Sequence, residues 1–267
     1  MKKLMYIVFA TVICLLLPSL KTSKKMNHIS ATSKPIMSIV IDDFGSYDQA
    51  GVEKLKTANI PLTCAVIPFV DNSKINAEEF KELGHEIILH MPMESHVNLP
   101  TDWYGPVFIK NTDSTEEVRS KLAKCANEFE DIKGFNIHIG SGVSQNKSLM
   151  TEIYNFAKER GLYFLDSRTI ETTATQNAAT ETNSVYLGRD VFLEADKNKS
   201  YHGVCKRLLE GATIAKEQGY AIVIGHVGAE GGENTANAII DTCNQIKNMG
   251  VEIVPLSQIY ELLSSKK

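Results

Sequence analysis

No two cysteines of this chain form a CxxC pair, and Cys64, Cys125, Cys205 and Cys243 stand far apart in sequence. That spacing argues against a zinc–cysteine site. Cys64 falls in an apolar run and the other three in helical patterns, so buried free thiols are expected, although disulfides are permitted outside the cytoplasm. No glycine-rich phosphate loop follows the first strand; Asp42-Asp43-Phe44-Gly45 occupies that place. This counts against a dinucleotide-binding or P-loop chain. Internal repeats and low-complexity tracts are also missing. Positive charge is outnumbered by negative beyond the N-terminus. Residues 1–35 hold six lysines and no acid, so a whole-chain formal charge of −4 leaves −10 on residues 36–267. A body that acidic has no electrostatic footprint for nucleic acid.

What is present first is an export pattern. Lys2 and Lys3 precede an apolar run from Leu4 to Leu17, followed by Pro18, Ser19 and Leu20. This is the charged and apolar sequence of a secretory signal. The run is short for a membrane span, which needs about 20 residues, and no small-x-small cleavage site follows. Residues 1–20 are therefore expected to be a signal peptide or a retained anchor, with membrane attachment through residues 4–20. Cys14 follows Ile13, where lipoprotein processing needs a small residue. Residues 21–35 are polar and basic without periodicity and read as a linker. Its lysines suit a solvated spacer as well as an anionic membrane surface. The expected location is extracytoplasmic, either secreted or anchored on the outer face of the cytoplasmic membrane. No partner protein is readable.

The whole chain is 43% hydrophobic and 22% charged, ordinary for a globular protein, and residues 36–267 suit one domain. Short apolar runs alternate with amphipathic stretches. Strands are expected at 37–41, 62–67, 86–89, 134–138, 162–165, 185–188, 221–224 and 251–254, mostly rich in Val and Ile as buried parallel strands are. Helices are expected at 47–58, 77–83, 115–129, 148–160, 201–218 and 235–249, several ending at a glycine stop (Gly84, Gly161, Gly219, Gly250). Repeated strand–helix units predict an α/β fold with a parallel sheet, doubly wound or closed. Polar residues collect just past several strand ends, where (β/α) barrels assemble their sites.

Asp42 and Asp43 follow the first strand. Neighbouring strand residues face opposite ways, so only a turn of the backbone can bring both into one site. Two close carboxylates share a proton or are held ionised by a cation; a helix N-cap with a surface acid is the plainer alternative. His85 and His90 are five residues apart and face opposite ways on a strand. His90, at the strand's C-terminal end, is the better ligand; His85 reads as structural and His96 as a minor loop candidate. Glu94 suits orienting a ligand or contacting substrate. His138 ends another buried strand. An Asp with two His leaves coordination positions open, as a catalytic divalent site requires. Asp166 with Arg168 and Arg189 with Asp190 follow two further strands, either as ion pairs bracing loops or as an arginine orienting a carboxylate base. His226 lies between Gly225 and Gly228, which favours a proton donor facing the site.

Taken together, Ile-Asp42-Asp43-Phe-Gly, Leu-His90-Met-Pro-Met-Glu94, Asn-Ile-His138-Ile-Gly-Ser, Leu-Asp166-Ser-Arg168, Arg189-Asp190 and Gly-His226-Val-Gly resemble, over about residues 36–262, the divergent polysaccharide deacetylases, relatives of the NodB-type carbohydrate esterases. The resemblance implies a distorted seven- or eight-stranded NodB-like (β/α) barrel in a single domain. It also implies hydrolysis of N-acetyl groups on a polysaccharide by a metal-dependent enzyme. By position, Asp42 becomes the base, Asp43 a metal ligand, His90 the first metal histidine and His226 the late acid. The superfamily's second histidine, four residues after the first in its H-x3-H segment, is replaced by Glu94, so the ligand set implied is Asp43, His90 and His138 on a divalent metal, zinc first, with Glu94 as the alternative ligand. Arg168 with Asp166 then falls to catalysis, and Glu94, Arg189 and Asp190 to substrate. Two alternatives remain: a glycoside hydrolase with Glu94 or Glu194 opposite the aspartates, about 5 to 9.5 Å across the scissile bond, and an inactive deacetylase-like barrel that binds cell-envelope glycan. Trp103 and Tyr104 after Pro100 suit a sugar-stacking loop, or simply an exposed apolar one.

Overall fold

The computed structural model describes residues 34–195 and 199–267. The signal, anchor and most of the linker expected from the sequence lie outside the described residues. In chain order the elements are β1 (Ile36–Phe44), α1 (Val52–Leu55), β2 (Thr63–Val66), α2 (Ser73–Glu82), β3 (Glu86–Met93), α3 (Thr115–Ala126), β4 (Gly134–Ile139), α4 (Lys147–Glu159), β5 (Tyr163–Asp166), α5 (Ala174–Glu181), β6 (Leu187–Gly188), β7 (Val191–Phe192), α6 (Tyr201–Gln218), β8 (Tyr220–His226), α7 (Gly232–Asn248), β9 (Glu252–Ile253) and α8 (Leu256–Ser264). All strand pairs are parallel, in the order β6-β5-β4-β3-β2-β1-β8-β7, with β9 alongside the start of β1. The strands form an α/β sheet curled as a NodB-like (β/α) barrel.

The two ends of that order are consecutive in the chain. β6 pairs with β5 through Leu165↔Leu187, and β7 pairs with β8 through Val191↔Val223. Only Arg189 and Asp190 separate them, so one broken strand spans the gap. Arg189 N still donates to Asp166 O (3.1 Å), while Asp190 N donates to Ile222 O (2.8 Å). The Asp190 carboxylate accepts from Ile222 N at 2.8 Å, satisfying a β8 amide at the break.

Strand alternation divides the core into two layers. Met37, Ile39 and Ile41 of β1 join the large cluster between sheet and helices. Val40, Ala65, Ile88, Leu165, Leu187, Ile222 and Ile224 form a separate inner cluster with Leu256 and Ile259 of α8. α8 therefore closes one end of the barrel. Its first turn is held there because Leu256 N donates to Thr63 Oγ1 (2.9 Å) and Ser257 N to the Glu86 carboxylate (3.2 and 3.3 Å).

Several element limits differ from the sequence expectation. α1 is one turn rather than residues 47–58, because Asp48 folds back to accept from Ala50 N (3.0 Å) and Gly51 takes φ 87°. β3 continues four residues past Leu89, carrying His90 inside the strand. β7, α5 and α8 were not foreseen. The Ala/Thr-rich α5 has a weak apolar stripe, and the two residues of β7 are too few to show a period.

Candidate active site

A cavity of about 940 Å³ opens at the C-terminal ends of the strands. The inward-facing parity that places Val40, Ile88 and Ile224 in the barrel core continues upward to Asp42, His90 and His226. Asp42 and His226 are ladder partners on β1 and β8, and His90 and Asn136 are partners on β3 and β4. His138 lies two residues beyond Asn136 on the same face. A regular strand would aim Asp43 away. Its φ of 68°, at a register shift between Ile41 and Phe44, turns it back toward the cavity. A left-handed Asp is uncommon, and here it puts both aspartates in one site.

Asp43 Oδ1 stands 3.3 Å from His90 Nε2 and 3.1 Å from His138 Nδ1. These three ligand atoms lie within 4.8 Å of one another. The remaining ring nitrogens are already engaged. His90 Nδ1 lies 2.6 Å from Asn136 Oδ1, and His138 Nε2 lies 3.0 Å from the Trp103 carbonyl. Both partners are acceptors, so in the neutral rings the protons sit on those nitrogens and the lone pairs face Asp43. Asp43 Oδ1 is buried and receives no hydrogen bond. Three acceptors converging without a donor fit a cation. Ligand atoms about 2.1 Å from a tetrahedral ion would be about 3.4 Å apart, close to the two Asp43–imidazole distances of 3.3 and 3.1 Å. The Asn136 and Trp103 oxygens are outer partners of the kind that orient metal-bound imidazoles.

Protons balance these charges in the metal-free protein. Burial pushes the Asp43 carboxyl up, but contacts from His138 and His90 together hold it well below the usual carboxylate range. Burial lowers His90, yet Asp42 and Asp43 win and raise it. For Asp42 burial dominates and leaves its pKa raised, despite His90, His226 and the Asn136 hydrogen bond. A raised carboxyl is better suited to accept a proton near neutral pH.

His226 is placed on the other side of Asp42, with Nε2 3.9 Å from Asp42 Oδ2. Its Nδ1 lies 3.1 Å from Glu194 Oε2, and its backbone N donates to Glu194 Oε1 at 2.9 Å. Thr235 Oγ1 donates to the same carboxylate. Burial depresses His226, but the Glu194 contact and the charges of Asp43, Glu194 and Asp42 push it up to about 9. Gly231 carries no side chain because a Cβ there would lie 2.3 Å from the His226 carbonyl.

Other candidates are placed differently. Arg189 lines the cavity, donating to the Ser167 and Arg168 carbonyls (2.7 and 2.9 Å), and lies within the field of Asp42. Arg168 also reaches the rim, but its guanidinium donates to Tyr186 Oη (3.3 Å) and the Arg189 carbonyl (2.8 Å). Neither arginine pairs with an aspartate. Leu165 of β5 and Ser167 just past its end face inward, so Asp166 faces outward, accepting from Arg168 N (2.8 Å) and Tyr186 Oη (3.0 Å). Asp190 serves the β6–β7 break. Glu94 accepts from Asn111 N at 2.7 Å and does not line the cavity. His85 Nδ1 accepts from Leu62 N (3.3 Å) at the far end of β3, and His96 contacts Ser141 Oγ (2.8 Å). Glu194, considered in the sequence only as a glycosidase acid, has both oxygens occupied around His226. Sequence reasoning passed over Asn136, although a polar residue in the inward register of an apolar strand, two before His138, is a readable signal.

The sequence model of the divergent polysaccharide deacetylases matches residues 39–260. An uncharacterised protein of Haemophilus influenzae is 29% identical over 192 residues, covering 71% of this chain and 66% of its own. The uncharacterised YibQ of Escherichia coli is 28% identical over 204 residues, covering 73% of this chain and 61% of its own. The chain thus spans less than two thirds of the length of these relatives. A crystal structure of an uncharacterised Agrobacterium tumefaciens protein superposes with a TM-score of 0.77 at 19% identity, covering 86% of this chain and 91% of that one. The catalytic domain of a peptidoglycan N-acetylglucosamine deacetylase from Eubacterium rectale gives a TM-score of 0.52 at 17% identity, covering 85% and 91%. At such identities the two structures show a shared fold and no more. The family match over most of the barrel, from β1 to α8, makes this chain a member of the divergent polysaccharide deacetylase family.

Proposed function

We propose that the protein is a metal-dependent hydrolase that removes N-acetyl groups from an extracytoplasmic polysaccharide. The observation that carries this reading is the convergence of Asp43 Oδ1, His90 Nε2 and His138 Nδ1 with no donor among them, beside the buried Asp42. One carboxylate and two imidazoles suit zinc with coordination positions left open. A divalent cation held there supplies carbonyl polarisation and lowers the pKa of water.

The chain's own groups then divide the proton work. Asp42 faces the cavity beside the ligands, and its burial favours taking a proton from the attacking water. Asn136 donates to Asp42 Oδ1 at 2.7 Å, leaving Oδ2 toward His90 and His226. His226, charged and held at Nδ1 by Glu194, presents Nε2–H to protonate the departing sugar amine. Arg189 adds positive potential near Asp42 without contacting it. Export, implied by residues 1–20 and by the family's polysaccharide substrates, would place the enzyme at the cell envelope.

The test is metal analysis of the purified protein together with acetate release from N-acetylated glycans. Bound zinc, and acetate release that a chelator abolishes and zinc restores, is the expected result. Absence of metal under replete conditions, with His138→Ala as active as the wild type, would overturn it. Reducing-end release without acetate would point to glycosidic cleavage; sugar binding that survives Asp42→Ala and His226→Ala without turnover would point to a binding barrel.

A further inference from the structure

Asn136 is completely buried on the inward face of β4, at a position flanked in register by His90. A polar amide in a barrel interior is unfavourable unless both of its ends find partners. Here both do. Nδ2 donates to Asp42 Oδ1 at 2.7 Å, and Oδ1 lies 2.6 Å from His90 Nδ1. An ionised carboxylate can only accept, so the NH2 end must face Asp42. The amide oxygen then faces His90, and His90 must donate from Nδ1. In the neutral ring that leaves Nε2 as the lone-pair nitrogen aimed at Asp43 Oδ1, 3.3 Å away.

From this chain of constraints we infer that Asn136 is a positioning residue that makes the proton-accepting Asp42 and the metal-ligating His90 one unit. Its rigid planar amide fixes the His90 tautomer at one end and the Asp42 rotamer at the other. Among the described residues, no other side chain hydrogen-bonds both groups. The inference rests on the metal-dependent reading above. It adds that ligand and base are coupled through a residue that touches neither metal nor substrate.

The two ends of the amide are separable by substitution. A carboxylate at 136 can still accept from His90 Nδ1 but has no proton for Asp42. Alanine serves neither end, and a serine hydroxyl is too short to span both. The experiment measures zinc affinity by competition with a chromophoric chelator, and acetate release from an N-acetylglucosamine oligomer, for wild type, Asn136→Asp, Asn136→Ala and Asn136→Ser.

Loss of an outer partner of a metal-bound histidine weakens metal binding about 10–100-fold, and this loss is expected for Asn136→Ala and Asn136→Ser. Asn136→Asp is expected to hold zinc within about threefold of wild type, because carboxylates serve the same outer role, while its turnover falls as far as that of Asn136→Ala. A residue that only packs would show no such separation. The inference is overturned if Asn136→Ala binds zinc as wild type does, or if Asn136→Asp loses as much affinity as Asn136→Ala. If Asn136→Ala does not fold, Asn136→Ser gives the same reading. Wild type that takes up no zinc overturns the metal reading itself, and this coupling with it. Wild type that binds zinc and an indifferent Asn136→Ala overturn the coupling alone.

Discussion

At the scale of single residues, the proposed base and the proposed metal ligand are adjacent in the chain. Asp42 and Asp43 are neighbours, yet Asp43 turns through φ 68° to meet two histidines while Asp42 keeps the strand's inward direction. Their substitutions should therefore fail differently. Asp42→Asn is expected to keep its zinc and lose about 10²–10⁴-fold in acetate release, the usual contribution of a general base. Asp43→Ala is expected to lose both, as metal analysis and turnover measured side by side will show. His226 offers a pH test in metal-free protein. Its pKa is raised from the ordinary 6.5 to about 9 in the fold, so folding favours its protonated form. That contribution is complete below pH 6.5 and is lost as pH rises through about 9. Urea unfolding of chelator-treated protein should show stability declining across this window. A His226→Asn variant with the same slope would refute the assignment.

At the scale of elements, the break between β6 and β7 joins the two ends of the curled sheet through consecutive residues. Leu187 and Gly188 pair with β5, Val191 and Phe192 with β8, and the Asp190 carboxylate takes the Ile222 amide where the strand changes partner. Asp190→Ala leaves that buried N–H unsatisfied, and about 1–3 kcal/mol of unfolding free energy should disappear. Zinc affinity should be preserved, since Asp190 does not reach the cavity; a selective loss of turnover in a fully folded variant would assign it to the site instead. At the opposite end, Ile259 of α8 is fully buried in the inner cluster. Ile259→Ala is expected to lower stability by about 2–5 kcal/mol in denaturant melts. A smaller effect would mean that α8 covers the barrel without filling it.

At the scale of the whole molecule, binding a metal to the folded state alone stabilises the fold. Zinc at about a hundred times its dissociation constant adds about 2.7 kcal/mol, so chelation should lower the melting temperature of wild type and leave Asp43→Ala unmoved. The described cysteines are all free thiols, with Cys64 and Cys125 buried; the fold's cross-links are packing and hydrogen bonds.

Much of this was legible in the sequence. Apolar runs, most of them rich in Val and Ile, marked eight of the nine described strands, because buried parallel strands need apolar residues on both faces. The placement of Asp42, His138 and His226 toward the C-terminal ends of strands followed from those runs, whereas β3 runs on to Met93 and carries His90 inside it. The direction in which each strand-end side chain points was less legible. Parity along a strand holds only while the backbone is regular, so Asp43 needed a left-handed turn, and Asp166, Asp190 and Glu94 turned to backbone amides or a tyrosine instead of the cavity. Asn136 was readable as a buried polar residue, but its two partners lie 46 and 94 positions away.

The sequence by itself determined the α/β alternation and the stock of aspartates and histidines at strand ends, because periodicity and composition are local properties. Only the tertiary structure decided that Asp43, rather than a simple pair with Asp42, meets His90 and His138 while Asp42 is held by Asn136. That outcome depends on ladder register and on one backbone torsion, which bring together residues from distant strands.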